Sequence, residues 1–315
     1  MPAVTGKQLL VVDDNLNFCT LVRDFFKDRH EVDISNDPHD ALLRAFEGHY
    51  DLVISDIRMP GMKGPDLLQR VRAGSPDTKT MLITSYNVDH YVKIAREYDI
   101  SSIMPKTVPF NFGELDTIVH GLLTDDIFGL NRYLLPDGEI RQTYTVRSSE
   151  EGRKVRDHAV EVFMSRFGTS GDMKLVLDET ITNAIYHAPK TTDGREKYRE
   201  FSEVDLQPHE YVYVECGWDS EKFGVSVSDS QGKLNKETVL RKIERHSAGE
   251  GLLDDSGRGL HMSRLFADTM IINIRRDVRT EVILINYISK KYKGYKPLYI
   301  NELRAPVRRD DEGGG

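Results

Sequence analysis

Short apolar runs alternate with helical patterns along the first ~120 residues, and this alternation constrains the fold more than any other feature of the chain. Runs rich in Val, Ile and Leu have the length of strands at residues 8–14, 30–35, 50–56, 79–85 and 100–106. Helical patterns lie between and after them, at about residues 16–28, 38–47, 64–73, 88–97 and 111–123. Strands separated by helices form βαβ crossovers, so the sequence predicts an α/β domain with a doubly wound, five-stranded parallel sheet.

The second half of the chain has a different pattern, because some of its strands follow one another directly. We predict helices at residues 150–167, 173–187, 236–246 and 260–266, and strands at 211–217, 222–229, 270–275 and 281–287. Only the turn WDSEK separates the first two of these strands, a spacing typical of an antiparallel pair. This half is therefore predicted to be α+β with a mixed or antiparallel sheet.

The two patterns give predicted domain boundaries. The first domain spans residues 1–124, and a linker that leads into an edge strand spans 125–148. The second domain spans 149–290, and a C-terminal tail spans 291–315. Within the second domain, the polar segment 190–208 is predicted to be a long loop, and residues 304–315 have the composition of a frayed end.

Composition excludes several classes of protein. With 39% hydrophobic and 30% charged residues the chain is predicted to be globular, and no apolar run approaches the ~20 residues of a membrane span. The start MPAVTGKQLL lacks the regions of a signal peptide, and the two cysteines indicate neither a disulfide framework nor a metal site. We therefore expect a cytoplasmic protein without membrane contact. The formal net charge of −8 argues against direct contact with DNA.

Acidic and polar residues end the predicted strands of the first domain. Asp13 and Asp14 end the first strand, and Asp56, Thr84 and Lys106 end the third, fourth and fifth. Ligands of open α/β sheets bind at the carboxyl ends of the strands, so these side chains are expected to converge. Crowded carboxylates repel one another unless a cation neutralises them, and oxygen ligands suit Mg²⁺. A carboxylate can also attack phosphorus and form an acyl phosphate.

The motifs VVDDN, SDIRMPGMKG, ITS and MPK resemble, in order and spacing, those of a response-regulator receiver domain over about residues 7–124. The resemblance implies that Asp56 accepts a phosphoryl group from a cognate histidine kinase. It also implies that Asp13 and Asp14 hold Mg²⁺ at Asp56, with a backbone carbonyl from Arg58.

The same resemblance makes Thr84 the switch hydroxyl and Lys106 the phosphate-binding lysine. Two positions differ from the family pattern. Ile103 stands where a switch aromatic is common, and Thr107 stands where a proline is usual.

The stretch LVLDETITNAIYHA places three polar groups four residues apart, at Glu179, Asn183 and His187. Residues at this spacing lie on one side of a helix, and Leu177, Ile181, Ala184 and Ile185 supply an apolar face. By itself this pattern fits a solvated helix face equally well. Further along, VSVSDSQGKL puts Asp229 at the end of a strand, where it could simply form a turn. The glycines Gly257 and Gly259 in GRGLHMS could bind an anion before the next helix, or only form a turn.

The order of these features resembles the GHKL ATP-binding fold over roughly residues 145–288. DETITNAIYHA and EEGRKVRDHAVEVF are most similar to the anti-sigma-factor serine/threonine kinases. The resemblance implies ATP and Mg²⁺ as cofactors, with Asn183 on the metal and Asp229 on the adenine amino group. It further implies that the loop from Gly257 to Gly259 wraps the phosphates, that Glu179 is the general base, and that the strand carrying Thr280 completes the nucleotide site.

The sequence therefore predicts a two-component response regulator whose output domain is a serine/threonine protein kinase that acts in partner switching. The implied partner is an anti-sigma-antagonist-like or other regulatory protein, and a homodimer is allowed. The rival hypothesis is a non-catalytic module that sequesters a partner. Gln231 and Lys233, which replace glycines of the family motif, favour that rival, whereas Glu179 favours the kinase. A hybrid histidine kinase is disfavoured, because the surroundings of His158 lack the acid that follows a phosphoacceptor histidine.

Overall fold

The first domain is a parallel sheet of five strands in the order β2-β1-β3-β4-β5. It is seen in a computed structural model that describes residues 5–168, 172–247 and 258–303. The strands are β1 (Gln8–Val12), β2 (Glu31–Ser35), β3 (Leu52–Asp56), β4 (Lys79–Thr84) and β5 (Ser102–Pro105). All four pairings among them are parallel, so the predicted doubly wound domain is confirmed.

Helices cover both faces of this parallel sheet. They are α1 (Leu16–Phe26), α2 (Pro38–Glu47), α3 (Gly64–Gly74), α4 (Val92–Glu97) and α5 (Phe112–Thr124). The side chains of Asn15, Asp37 and Asn111 cap α1, α2 and α5 by accepting hydrogen bonds from backbone N–H groups of the first turns. A 3₁₀ turn (Val88–Tyr91) precedes α4, so the helix predicted at 88–97 begins with a tighter turn.

The second domain places its helices against an antiparallel set of strands. The strands are β6 (Glu139–Val146), β7 (Val212–Trp218), β8 (Lys222–Asp229), β9 (Thr269–Arg275) and β10 (Arg279–Tyr287). The helices are α6 (Ser149–Phe167), α7 (Asp172–Thr182), α8 (Lys236–Ser247) and α9 (Arg258–Phe266). The strands follow the order β9-β10-β8-β7-β6, so β6 at the end of the predicted linker is the edge strand. No helix in the described ranges is long and apolar enough to cross a membrane.

A last strand corrects the predicted tail. Strand β11 (Leu298–Leu303) lies inside residues 291–315, which the sequence predicted to be a C-terminal tail. It pairs antiparallel with β5 and parallel with β9, and it joins the two domains into one sheet of eleven strands. Its first four residues are buried. A central strand of this kind hydrogen-bonds on both sides, which explains why the segment is ordered.

Helix packing forms a second contact between the domains. Helix α4 of the first domain packs against α8 of the second. Arg96 Nε on α4 lies 2.9 Å from Glu244 Oε2 on α8. Asp89, in the 3₁₀ turn before α4, accepts a 2.8 Å hydrogen bond from the buried guanidinium of Arg264 on α9. The domains therefore share a sheet and a helical interface, in addition to the covalent linker.

Candidate functional site

Three of the predicted residues of the first domain meet at the carboxyl end of the parallel sheet. Lys106 Nζ lies 2.6 Å from Asp13 Oδ2 and 2.7 Å from Asp56 Oδ1. Asp13 is 0% and Asp56 5% exposed. The ammonium group therefore stands between two buried carboxylates and neutralises part of their repulsion. Thr84, on the neighbouring strand β4, is fully buried, and its carbonyl accepts a hydrogen bond from the Lys106 N–H.

Burial and mutual contact shift the pKa values of Asp13 and Lys106 at this rim. Burial raises the pKa of Asp13, although Lys106 opposes the rise. Burial lowers the pKa of Lys106, but its hydrogen bonds to Asp13 and Asp56 outweigh this and leave the pKa raised. Asp13 Oδ2 is buried, and its close contact among the described residues is the ammonium group of Lys106 at 2.6 Å. An oxygen in this state fits a divalent cation.

The remaining predicted ligands lie differently around this rim. Asp14 is exposed. The Arg58 N–H donates a 2.6 Å hydrogen bond to Asp56 Oδ2, which places the Arg58 backbone beside the carboxylate. Among the described residues, no three His, Cys, Asp or Glu side chains form a ready metal cage. Asp13, Asp56 and the Arg58 backbone therefore lie together at this rim, and the role of the exposed Asp14 as a further oxygen ligand of Mg²⁺ stays a prediction.

The side chain of Arg58 connects this rim to α4, which the sequence did not reveal. Its guanidinium lies 4.3 Å from the ring centroid of Tyr86, and its Nε donates a 2.8 Å hydrogen bond to Tyr91 Oη. Tyr91 ends the 3₁₀ turn that leads into α4. Ile103, at the position of the common switch aromatic, is fully buried and pairs with Leu298 of β11. The added strand therefore covers the sheet edge of β5 beside Ile103.

The second domain has a cavity of about 260 Å³ between α7, α8, α9 and strands β8 and β10. The predicted stripe Glu179, Asn183 and His187 lines one wall. The helix changes to a π-helical turn at Asn183–His187, closed by a 3.0 Å hydrogen bond from the Ala188 N–H to the Asn183 carbonyl. Such turns often lie at functional sites. Asn183 Nδ2 donates a 3.0 Å hydrogen bond to Glu179 Oε1, which leaves the amide oxygen of Asn183 available to a cation.

Asp229 and Thr280 face each other on the opposite wall. They are partners in the pairing of β8 with β10, and both are buried. Asp229 Oδ1 accepts hydrogen bonds from the N–H groups of Gln231 (2.8 Å) and Gly232 (3.1 Å), so the residue forms a turn and also lines the cavity. Burial raises its pKa, against the effect of these two N–H groups.

The hydroxyl of Thr280 is a buried polar atom that finds no hydrogen-bond partner among the described residues. Val227 and Val282, which pair across β8 and β10, line the cavity as well. An unpaired hydroxyl beside a buried carboxylate and apolar walls suits a flat heterocycle with an exocyclic amino group, because unpaired buried polar groups are costly. The residues of this wall therefore fit an adenine base.

The two residues that depart from the glycine motif do not fill the cavity. Gln231 Nε2 donates a 2.6 Å hydrogen bond to the His209 carbonyl. Lys233 is at the cavity rim, with its ammonium group 2.6 Å from Asp277. Of the predicted phosphate loop, Gly257 lies outside the described residues, whereas Gly259 lies in the first turn of α9.

Several cavity residues were missed by the sequence analysis. The long loop at 190–208 contributes Lys190, Glu196 and Glu200, and His187 Nδ1 lies 2.8 Å from Glu196 Oε1. Helix α8 contributes Thr238 and Lys242, which are four residues apart on one face. A lysine on a polar helix gives no signal by itself, so only the folded chain reveals it.

Comparison with known proteins assigns the two parts of the chain separately. Residues 9–120 match the family described as response regulator receiver domain. Residues 148–286 match the family described as histidine kinase-like ATPase domain. The two matches contain the acidic rim and the residues lining the cavity, respectively.

The similar individual proteins cover the first domain. Regulatory protein VanRB of Enterococcus faecalis is 35% identical over 117 residues, which are 37% of this chain and 52% of that protein. A response regulator receiver protein of Anaeromyxobacter is 31% identical over 32% of this chain and 43% of its own length. The crystal structure of TrrA from Thermotoga maritima, in complex with Mg(2+)-BeF, is 36% identical and covers 37% of this chain and 99% of its own, with a TM-score of 0.34. The chain spans about half or less of the curated relatives that it matches.

Proposed function

Since the chain joins a response regulator receiver domain to a GHKL-type, histidine kinase-like ATPase domain, we propose that phosphorylation of Asp56 controls an ATP-dependent serine/threonine protein kinase. The observation that carries the proposal is the cavity in which Glu179 and Asn183 face the buried Asp229 and the unpaired Thr280 hydroxyl. Receiver domains in general bind Mg²⁺, and ATPase domains of this class bind ATP.

At the receiver, the Asp56 carboxylate attacks the phosphorus of a phosphohistidine or of acetyl phosphate. A P–O bond forms to Asp56 as the bond to the donor's leaving atom breaks. Lys106, which lies 2.7 Å from Asp56 Oδ1, then pairs with the added negative charge, and the proposed role of the Thr84 hydroxyl is to donate to a phosphoryl oxygen. Asp13, Asp14, Asp56 and the Arg58 carbonyl would hold Mg²⁺, which would supply charge neutralisation at the rim.

In the second domain, Glu179 is the group suited to accept the proton of a serine or threonine hydroxyl. That oxygen attacks the terminal phosphorus of ATP, and the bond to the ADP leaving oxygen breaks. Asn183 lies one turn after Glu179 and orients its carboxylate by a hydrogen bond. The amide oxygen of Asn183 would hold Mg²⁺, which would supply electrostatic stabilisation of the phosphates.

We further propose that the receiver acts through its direct contact with the second domain, as well as through the linker at 125–148. Arg58 contacts both Asp56 and Tyr91, and the turn containing Tyr91 leads into α4. Helix α4 packs on α8, and residues of α8 line the nucleotide cavity. A phosphoryl group on Asp56 displaces Lys106 and Arg58 from their present partners, so the two receiver states contact α8 differently.

The rival function, sequestration of a partner protein without phosphoryl transfer, has one observation in its favour. Glu179 Oε1 already accepts a hydrogen bond from Asn183, which reduces its strength as a base. The proposed partner in either case is a regulatory protein similar to an anti-sigma-factor antagonist, whereas a cognate histidine kinase supplies the phosphoryl group of Asp56.

One experiment separates the two functions. The purified chain is incubated with γ-labelled ATP, Mg²⁺ and candidate antagonist proteins from the same genome. The kinase proposal expects label on a serine or threonine of one candidate, and loss of that label with Glu179→Gln while ATP binding persists. Tight binding of a candidate without label supports sequestration, and absence of ATP binding by the wild type overturns the kinase proposal.

A further inference from the structure

The nucleotide cavity carries more acidic than basic side chains on its described walls. The acidic residues are Glu179, Glu196, Glu200 and Asp229, and the lysines are Lys190, Lys233 and Lys242. A nucleoside triphosphate is strongly anionic, so acidic walls oppose its entry unless cations offset them. A phosphate group therefore needs a lysine that is not already paired with an acidic side chain.

Two of the three lysines already have acidic partners. Lys233 Nζ lies 2.6 Å from Asp277 Oδ1, at the cavity rim. Lys190 Nζ lies 3.7 Å from Glu196 Oε1, within its own loop. The ammonium group of Lys242 makes no hydrogen bond and no ion pair within 4 Å to any described residue, although the residue is only partly exposed. A half-buried ammonium group without a close partner gains most from an arriving anion.

Charge and geometry place Lys242 at the phosphate end of the cavity. The acidic groups that act on it most strongly are Glu179 and Glu196, and their attraction only partly offsets the burial that lowers its pKa. Glu179 is hydrogen-bonded to Asn183, the proposed metal ligand. Asp229 and Thr280, which suit the base, lie on the strands of the other wall. Lys242 therefore faces the region in which the metal and the polyphosphate would lie.

Helix α8 presents Lys242 to the cavity from one side and contacts the receiver from the other. Residues two apart on a helix differ by about 200° in direction. Lys242 lines the cavity, whereas Glu244 pairs with Arg96 of α4 at 2.9 Å. At the start of α8, Lys236 Nζ donates to Ser101 Oγ of the receiver at 3.3 Å. The helix is thus held in place by the receiver along its outer side.

We propose that Lys242 binds the β- or γ-phosphate of the nucleotide and that this residue, on a helix held by the receiver, distinguishes ATP from AMP. The proposal rests on the proposed function, because it assigns a further residue to the same nucleotide site. It assigns polyphosphate binding to a lysine side chain outside the helix that carries Glu179 and Asn183.

The test is isothermal titration calorimetry of the full chain with Mg²⁺ and either ATP or AMP, for the wild type and Lys242→Met. Loss of a charge-assisted hydrogen bond should weaken ATP binding by roughly 10- to 100-fold. AMP binding should change by less than about twofold, since AMP lacks the β- and γ-phosphates, and this also reports that the variant is folded. The matched control is Arg241→Met, which removes one positive charge from the neighbouring, exposed position of α8. It should leave both affinities within about threefold, as expected for a screened surface charge.

The outcomes separate this proposal from the proposed function. Unchanged ATP affinity in Lys242→Met overturns the role of Lys242, and so does an equal loss for ATP and AMP. An equal loss of ATP affinity in Arg241→Met also overturns it, because general charge would then be the cause. If the wild type binds neither nucleotide, the proposed function fails instead, whatever the variants do.

Discussion

Replacement of Lys106 by methionine should destabilise the receiver domain and make it depend on Mg²⁺. At the observed contacts of 2.6 Å to Asp13 and 2.7 Å to Asp56, each attraction is worth about 6 kcal/mol at an effective dielectric constant of about 20, before desolvation is subtracted. The lysine is itself largely buried, so much of this gain is offset. Removing one partner of a buried ion pair costs about 3–5 kcal/mol, because the remaining charges stay unpaired. We expect a loss in this range for Lys106→Met in the absence of metal.

The assay is urea-induced unfolding of the full chain, monitored by circular dichroism with and without saturating Mg²⁺. Mg²⁺ should stabilise Lys106→Met more than the wild type, because the cation replaces the missing ammonium group between the carboxylates. The control is Lys79→Met, which breaks the exposed Lys79–Asp125 pair and should change the unfolding free energy by less than about 1 kcal/mol. A loss below about 1 kcal/mol for Lys106→Met, or an equal response of both proteins to Mg²⁺, would refute the charge argument.

Two further predictions concern the individual sites. With acetyl phosphate and Mg²⁺, the wild type should gain a phosphoryl group, which phosphate-affinity electrophoresis detects, and Asp56→Asn should not. A phosphoryl group gained by the variant would place the acceptor elsewhere. Asn183→Ala should weaken Mg·ATP binding by roughly tenfold or more, because it removes a metal ligand. Its unfolding midpoint should stay near that of the wild type, and calorimetry showing equal ATP affinity for both proteins would exclude Asn183 from the metal site.

The regular elements could be predicted from the sequence because their signals are local. Parallel strands buried on both faces are continuous apolar runs, as in β1 and β3, and the alternating segment at residues 222–229 was predicted with the bounds of β8. The predicted helix at 38–47 agrees as well, because Asp37 and Pro38 mark its start. Strand β11 was missed, since its pairing with β5 and β9 is decided by tertiary contacts and its short sequence lies in a polar context.

In the candidate sites, too, residues could be predicted where the sequence signal is local and could not where it depends on residues far apart in the sequence. Glu179, Asn183 and His187 were found through helical periodicity, and the structure places all three on one cavity wall. Lys242 and the Arg58–Tyr91 contact could not be found in this way, because the position of Lys242 in the cavity and the contact of Arg58 are both set by residues distant in sequence. Whether Gln231 and Lys233 obstruct the cavity could not be decided from the sequence, since their side-chain directions are set by contacts with His209 and Asp277.

The central claim, that the receiver controls the nucleotide site through the α4–α8 contact, is tested most directly by ATP affinity in the two receiver states. Calorimetry should measure Mg·ATP binding to the wild type with Asp56 unmodified and with beryllofluoride bound as a phosphoryl mimic. The account predicts a severalfold difference, which corresponds to a coupling free energy of about 1–3 kcal/mol. Glu244→Gln, which breaks the 2.9 Å pair with Arg96, should reduce that difference to less than about half while leaving the fold intact. Equal ATP affinities in the two states of the wild type would contradict the claim, and a full difference retained in Glu244→Gln would assign the coupling to another contact.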